Sequence, residues 1–323
     1  MFENWMLLSG IAIGAIPPLL LRRYPIFGSD HPEGQARKRQ SAAIPLAGAG
    51  TLGLGSLLLA SDALREGSKA PLAFLIAVLL TLVLGIRDDR LPQGLRALPK
   101  VLGQAAIGLA VAAALLETHW GSLGLSFESM LFVLGTCFVV MLLQNAWNFF
   151  DNFDGAAVWV AGSSCLLILS GAFPSEGSTP LTSALSLRVA LSLGLPLLGF
   201  LYWNYPRARC YLGDAGSHLL GLGFAYMSLQ GALLWLTNRG SAVETLAILD
   251  LQDLLAFLLA TSALPLLDLV QVSIVRILHR IPPWQADRRH LAHRLEALLP
   301  HAAVAPVLAA LHLLLAVGSL SLL

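Results

Sequence analysis

The sequence predicts an all-α, polytopic membrane protein of about ten transmembrane helices. Of its 323 residues, 56% are hydrophobic and only 12% are charged, with a mean hydropathy of +0.74. Soluble domains are about a quarter charged. Apolar runs close to the roughly 17–25 residues that a bilayer core requires recur along the whole chain. The basic residues gather on alternate loops between those runs, as they do when one side of a membrane is cytoplasmic.

In chain order the apolar runs lie at about 5–21, 43–60, 71–86, 101–116, 129–148, 156–172, 185–203, 216–236, 254–277 and 303–322. The N-terminus lacks the basic region and small-residue cleavage site of a secretory signal, so 5–21 is read as a retained span. Pro17, Pro18, Pro196 and Pro265 fall inside runs. Membrane helices tolerate them because neighbouring groups satisfy the freed backbone. Neither a short repeat nor a long linker interrupts the series, and a single transmembrane domain over 1–323 is expected. The cysteines (Cys137, Cys165, Cys210) sit in or at the ends of runs, which is no disulfide framework.

The loops after the odd-numbered runs hold Arg22, Arg23, Arg37, Lys38 and Arg39, then Arg87, Arg90, Arg96 and Lys100. Further along, the same set holds Arg207 and Arg209, then Arg276, Arg280, Arg288, Arg289 and Arg294. The opposite loops hold only Arg65, Lys69, Arg188 and Arg239. Sixteen against four puts the first set in the cytoplasm and both termini outside. The net charge of +1 is uninformative beside this sorting.

Polar residues out of keeping with hydrocarbon then fall on one side. Asp88 and Asp89 leave the third run in "GIRDDR"; Asn145 and Asn148 end the fifth, and Asp151, Asn152 and Asp154 follow it, in "NAWNFFDNFDG". Asp214 opens the eighth in "YLGDAGS", and His290, His293 and Arg294 lie in the last basic loop. Asn145, Asn148 and Asn152 share one stripe if the fifth helix continues past 150. Gly155 then permits a sharp exit. A polar helix end meeting water would give much of this, but it does not account for Asn145 reaching back into the apolar run.

Asp88–Asp89 reads either as a solvated helix end or as a pair held together by a cation or basic group. Asp214 among glycines at a helix start reads as an incidental turn or as a phosphate site with a carboxylate for Mg²⁺. His290 and His293 among arginines suit an anion better than zinc.

In this order the segments resemble the polyprenyl-phosphate N-acetylhexosamine-1-phosphate transferases, over nearly the whole chain. The matching strings are "SDHPEGQARKRQSAAIPLAGAG", "GIRDDR", "NAWNFFDNFDG", "YLGDAGS" and "HLAHRL". The resemblance implies transfer of a sugar 1-phosphate from a UDP-sugar donor to a polyprenyl (undecaprenyl) phosphate acceptor, releasing UMP and initiating cell-envelope glycan assembly. It implies a multi-pass plasma-membrane enzyme with a cytoplasmic active site, dependent on Mg²⁺ with Mn²⁺ as a substitute. No nucleic-acid partner is expected; a homodimer is left open.

Carried over residue by residue, Asp88 and Asp89 become the catalytic acidic pair near the lipid phosphate, and Asp214 becomes the metal ligand. Asn148, Asp151 and Asp154, supported by Asn145, bind the nucleotide sugar. Tyr211 takes the place of an aromatic that stacks on uracil, and Lys100 faces the diphosphate. His290, His293 and Arg294 grip the donor phosphates as fixed positive charge. The acidic pair acts either as a base in direct displacement or as a nucleophile; the sequence leaves both open.

Four departures stand out. Asn152 replaces the first glycine of the family's D-G pairs, and Asn tolerates a left-handed backbone best among the substitutes. Ala292 replaces the middle histidine of the last-loop motif. Arg39–Gln40 replaces a basic–His pair, and Ala47–Gly48–Ala49–Gly50 interrupts a Gly–Gly. The short last loop resembles the UDP-GlcNAc branch more than the branch using UDP-MurNAc-pentapeptide. The competing class is an ion-coupled secondary transporter, whose ionisable groups belong near the bilayer midplane; here Asp268 is the only acid inside a run.

Overall fold

The computed structural model describes residues 2–21, 27, 29–30, 44–64, 69–91, 94–120, 126–173, 185–238, 251–280 and 288–323. Each apolar run is helical, with edges a few residues from those read in the sequence. The helices are α1 (Phe2–Leu21), α2 (Gly48–Leu64), α3 (Ala70–Arg90), α4 (Ala97–Trp120), α5 (Phe127–Phe150) and α6 (Ala156–Leu167), which runs on as a π turn over Ile168–Ala172. After them come α7 (Leu185–Asn204), α8 (Gly213–Asn238), α9 (Leu251–Leu278), a short α10 (Leu291–Glu296) and α11 (His301–Leu320). A two-residue antiparallel pair, Ser29–Asp30 with Ile44–Pro45, is the one strand pair among the described residues.

Among the described residues, six helices are long and apolar enough to cross a membrane: 70–90, 97–119, 127–150, 213–237, 251–278 and 301–320. Segments 9–21 and 156–172 are shorter apolar helices. Large apolar side chains face outward along them, among them Phe138, Val83, Leu134 and Leu314. In water such faces would be a liability; lipid makes them ordinary.

Helix α8 is the hub. Its spanning window is 89% buried, and it packs against α2, α3, α5, α7 and α9. That explains its small-residue sequence, Gly213–Ala215–Gly216–Ser217 and Gly221–Gly223. At Gly85 of α3 an added Cβ would come within 2.3 Å of Ala215 Cα, so only glycine lets the end of α3 lie against the start of α8. Helix α5 starts at a reciprocal cap in which Ser126 accepts from the Ser129 N–H and Ser129 Oγ accepts from the Ser126 N–H. It closes at Phe150, with Asp151 as C-cap at φ −76°, ψ 54°.

Helix α9 is kinked at Ser262 (φ −147°) above Pro265. The proline has no N–H for the Thr261 carbonyl, and the Ser164 hydroxyl of α6 donates to that oxygen at 2.9 Å instead. Ser164 Oγ in turn lies 2.8 Å from His312 Nε2. Trp147 Nε1 donates to Ser262 Oγ at 2.9 Å. Buried polar groups are thereby spent on the kink.

Two expectations are corrected here. Helix α5 does not continue beyond Phe150, so Asn152 does not share a stripe with Asn145 and Asn148. Nor does Asn152 take the left-handed backbone: the turn takes its positive φ at Gly155 (76°). Asn152 closes a tighter loop, its N–H donating to the Phe150 carbonyl at 2.8 Å and its side chain to the Phe149 carbonyl at 2.6 Å. Arg39 and Gln40 lie outside the described residues.

Candidate active site

Five helix ends meet at one level: the C-termini of α3 and α5 and the N-termini of α4, α6 and α8. Asp214 is where they join. Its backbone N–H donates to Asp89 Oδ1 at 2.7 Å, and the next N–H, of Ala215, donates to Asp89 Oδ2 at 3.1 Å. Asp89 therefore binds the open N-terminus of α8, where unpaired amides and the helix dipole favour an anion. Gly213, at φ 73°, lets the chain enter that turn beside the Asp89 carboxylate.

The Asp214 side chain is held from two other helices. Asn148 Nδ2 of α5 donates to Oδ1 at 2.8 Å and also lies 3.2 Å from Ser217 Oγ. Lys100 Nζ of α4 stands 3.5 Å from Oδ2 while pairing closely with Asp88. Asp88 is buried, and its Oδ1 also accepts from the Leu95 N–H at 2.5 Å. Below this layer Gln144 bridges Thr81 and the His218 carbonyl. Asn145 donates to Gln104 at 3.1 Å and to the Met141 carbonyl at 2.7 Å. That contact lies within the floor of the site, which is the partner its place in an apolar run demanded.

Asp151 differs from the other acids. Half-buried at the end of α5, its carboxylate has no hydrogen-bond donor among the described residues. Burial first, and then the charges of Asp214, Asp89 and Asp154, push its pKa up to about 8. Asp154 looks the other way. Its Oδ2 accepts from the Ala208 N–H at 3.1 Å and lies 3.4 Å from His301 Nε2. Burial raises its pKa, against the lowering pull of the Ala208 amide and His301. Asp154 thus ties the turn after α5 to the segment before α8 and to α11.

That segment carries Tyr211. Its N–H donates to the Pro45 carbonyl, and its own carbonyl accepts from the Ala47 N–H at 2.9 Å. The Gly48 N–H donates to the Leu212 carbonyl, so the altered Ala47–Gly48 stretch braces the Tyr211 backbone. The Tyr211 side chain remains half-buried.

The last loop approaches from α9 and α10. His290 is buried, with Nδ1 2.7 Å from Asp268 Oδ2; the Leu291 N–H donates to Asp268 Oδ1 at 2.7 Å. His290 also packs edge-on to Phe149, over which the Arg276 guanidinium lies at 5.2 Å. His293 packs edge-on to Phe153. With Arg288, Glu296 and His301 it lines an open cleft of about 550 Å³, within the range of small-molecule sites. Arg288 Nη2 meets Glu296 at 2.8 Å, and His301 Nδ1 meets it at 3.2 Å. Arg294 is exposed. Ala292, at the missing histidine's position, is buried in the core.

For His293, burial opposes the positive charge that the resemblance implies. Burial, then the nearby Arg288 and His290, lower its pKa to about 4 despite the opposing pull of Glu296. A histidine below its usual value is neutral through the physiological range, so in the ligand-free protein it is no fixed positive charge. Between about 6.5 and 4 the unfolded chain binds the proton more readily, so this group lowers stability as pH falls through that window. We expect the His293 ring resonances in ligand-free protein to stay constant from about pH 8 to about 5.5. A midpoint near 6.5, the ordinary histidine value, would contradict the burial argument.

Asp268, Glu296 and His301 were not among the site residues the sequence suggested. Only Asp268 carried a signal, as a lone acid within an apolar run.

The chain is similar to several known proteins. A family model described as glycosyl transferase family 4 matches residues 71–232. The decaprenyl-phosphate N-acetylglucosaminephosphotransferase of Mycobacterium tuberculosis (strain H37Rv) is 30% identical, over 75% of this chain and 62% of its own length. A probable undecaprenyl-phosphate N-acetylglucosaminyl 1-phosphate transferase of Bacillus subtilis is 28% identical, over 70% and 58%. The phospho-N-acetylmuramoyl-pentapeptide-transferase of Carboxydothermus hydrogenoformans is 32% identical, over 67% and 72%. The chain thus spans less than two thirds of the length of the mycobacterial and Bacillus relatives.

Proposed function

The chain belongs to glycosyl transferase family 4, and from that premise we propose that it transfers N-acetylhexosamine 1-phosphate from a UDP-sugar to a polyprenyl phosphate. The observation that carries the reading is the hold on Asp214: Asn148 of α5 and Lys100 of α4 meet its carboxylate, and Asp89 of α3 accepts from its backbone N–H at the opening of α8. A carboxylate aimed this closely suits a metal-bound diphosphate better than a solvated helix end.

Fit to Mg²⁺ can be judged from the donors. Among the described residues no three acids or imidazoles form a metal cage. Mg²⁺ does not ask for one: it keeps waters and takes one or two carboxylates beside substrate phosphates. Asp214 would hold it, with the hydrogen-bond-free carboxylate of Asp151 close by, and Asp88 and Asp89 add to an acidic cluster that Lys100 alone does not balance. When bound, the ion would neutralise the donor diphosphate and stabilise the leaving UMP.

The remaining steps belong to the chain's own residues. A lipid phosphomonoester, with a second pKa around 6–7, is already largely dianionic. Its oxygen forms a bond to the β-phosphorus as the bond from that phosphorus to the bridging oxygen breaks, and UMP leaves with the electron pair. No proton has to be removed. Each oxygen of Asp88 and Asp89 already accepts a hydrogen bond. For Asp88 the donors are the Leu95 N–H and Lys100, and for Asp89 they are the Asp214 and Ala215 N–H groups of α8. That favours direct displacement over a covalent phospho-aspartate. Asp89 orients Asp214; Lys100 keeps Asp88 and Asp214 from repelling each other and offers positive charge to the diphosphate. Asn148 fixes the Asp214 carboxylate, and Asp151 accepts from the N–H or hydroxyl groups of the donor. Tyr211 offers a face to the uracil, Asp154 sets the loop beneath it, and His290, His293 and Arg294 meet the phosphates.

We assign the donor as UDP-GlcNAc, from the short last loop and the names of the mycobacterial and Bacillus relatives; UDP-MurNAc-pentapeptide, suggested by the Carboxydothermus relative, is the second reading. The test is purified protein with undecaprenyl phosphate, Mg²⁺ and a panel of UDP-sugars, scored by UMP release. Release with UDP-GlcNAc is expected; silence across the panel would end the proposal.

The site would face the cytoplasm, with ten spans and both termini outside. In a variant lacking native cysteines, an impermeant thiol reagent applied from outside should label Ser126→Cys and spare Ser29→Cys. The reverse pattern would invert the topology.

A further inference from the structure

Asp268 lies in the middle of α9 with no exposed surface. A carboxylate there is costly unless its lone pairs are used. Both oxygens are used, and both by consecutive groups of the last loop: the His290 ring at Oδ2 and the Leu291 N–H at Oδ1, each at 2.7 Å. If the need were only to start the six-residue α10, a Ser, Asn or Asp at the cap itself would serve without burying a charge. Position 290 is instead histidine with no side-chain cap bond. Its ring is spent on Asp268 and is bordered by Phe149, itself covered by Arg276.

We propose that Asp268 is a positioning residue: it holds the His290 ring in one orientation, with Nδ1–H facing α9, so that Nε2 is the nitrogen left for the donor phosphates. This rests on the phosphate-binding role given to His290 above. Commitment of one imidazole nitrogen to a carboxylate sets which tautomer the ring adopts and which atom meets the ligand. To donate to a phosphate oxygen, the ring needs a proton on Nε2 as well, and a carboxylate at Nδ1 balances the charge of such a ring. The short loop then arrives with its ring already turned.

The test combines kinetics with a spectrum that needs no turnover. Asp268→Asn should lower kcat/KM for UDP-GlcNAc by roughly 10- to 100-fold, in the range seen when an imidazole loses its orienting carboxylate. In a His290→Ala background the same change should cost less than about twofold, because the two residues act as one unit. Equal losses in both backgrounds would assign Asp268 a structural role and overturn the proposal. Nitrogen-15 spectra of histidine-labelled wild-type protein should show His290 protonated at Nδ1, in a resonance that Asp268→Asn moves. An Nε2–H tautomer would also overturn it. If Asp268→Asn does not fold, the wild-type spectrum decides alone, with Asp268→Glu expected to retain the Nδ1–H signal. If the wild-type protein lacks transferase activity altogether, the functional reading fails while the spectrum still tests the pair.

Discussion

Asp214→Asn should lower Mg²⁺-dependent turnover by about 10³-fold, close to 4 kcal/mol of transition-state stabilisation. The substitution keeps the shape, and an amide oxygen can still accept from Asn148. The packing of α8 does not depend on that oxygen's charge, so the thermal midpoint should change little. What would be lost is the proposed anionic ligand for Mg²⁺. The readout is initial rate against Mg²⁺ concentration together with a melting curve. Activity within about tenfold of wild type, roughly 1.4 kcal/mol, would show that the metal is held elsewhere.

Lys100→Ala should lower turnover by about 10²- to 10³-fold, the scale of losing one preorganised charge in a water-poor site. Lys100 pairs with Asp88 and reaches Asp214. Without it two carboxylates from different helices face each other, and the diphosphate meets uncompensated acid. Extra Mg²⁺ should not restore the rate, because an ion on Asp214 cannot occupy the place of a side chain anchored in α4. Lys100→Arg should recover only part of it: the planar guanidinium is larger and spreads the charge that the ammonium concentrates. A variant at full rate with saturating Mg²⁺ would mean that Lys100 serves packing alone.

Much of this architecture was legible in the chain. The apolar runs mark the helices because a bilayer makes hydropathy a length-coded signal, and Asp88, Asp89, Asn148 and Asp214 meet because their helices end at the same level. The finer division of labour was not legible. Asp89 and Asp214 lie 125 positions apart, and nothing local announces that one accepts from the other's amide. Asp154, three residues from Asp151 in one motif, turns away to Ala208 and His301 because the chain leaves its helix at Phe150 and reverses at Gly155. Periodicity alone extended that helix too far, since Asn152 fits the stripe as well as it fits the turn. His293 is a basic residue by composition, and burial pushes it toward its neutral form. Asp268 had a readable signal, a lone acid in hydrocarbon, but its partner is set by how the last loop folds back.

A phosphosugar, not a bare sugar, should move to the lipid. UDP-GlcNAc labelled with ³²P at the β-phosphate distinguishes the two directly. Incubated with the protein, undecaprenyl phosphate and Mg²⁺, the label should pass to the organic phase while the UMP left in water carries none. Label retained in the aqueous phase as UDP, with unlabelled glycolipid in the organic phase, would contradict the account.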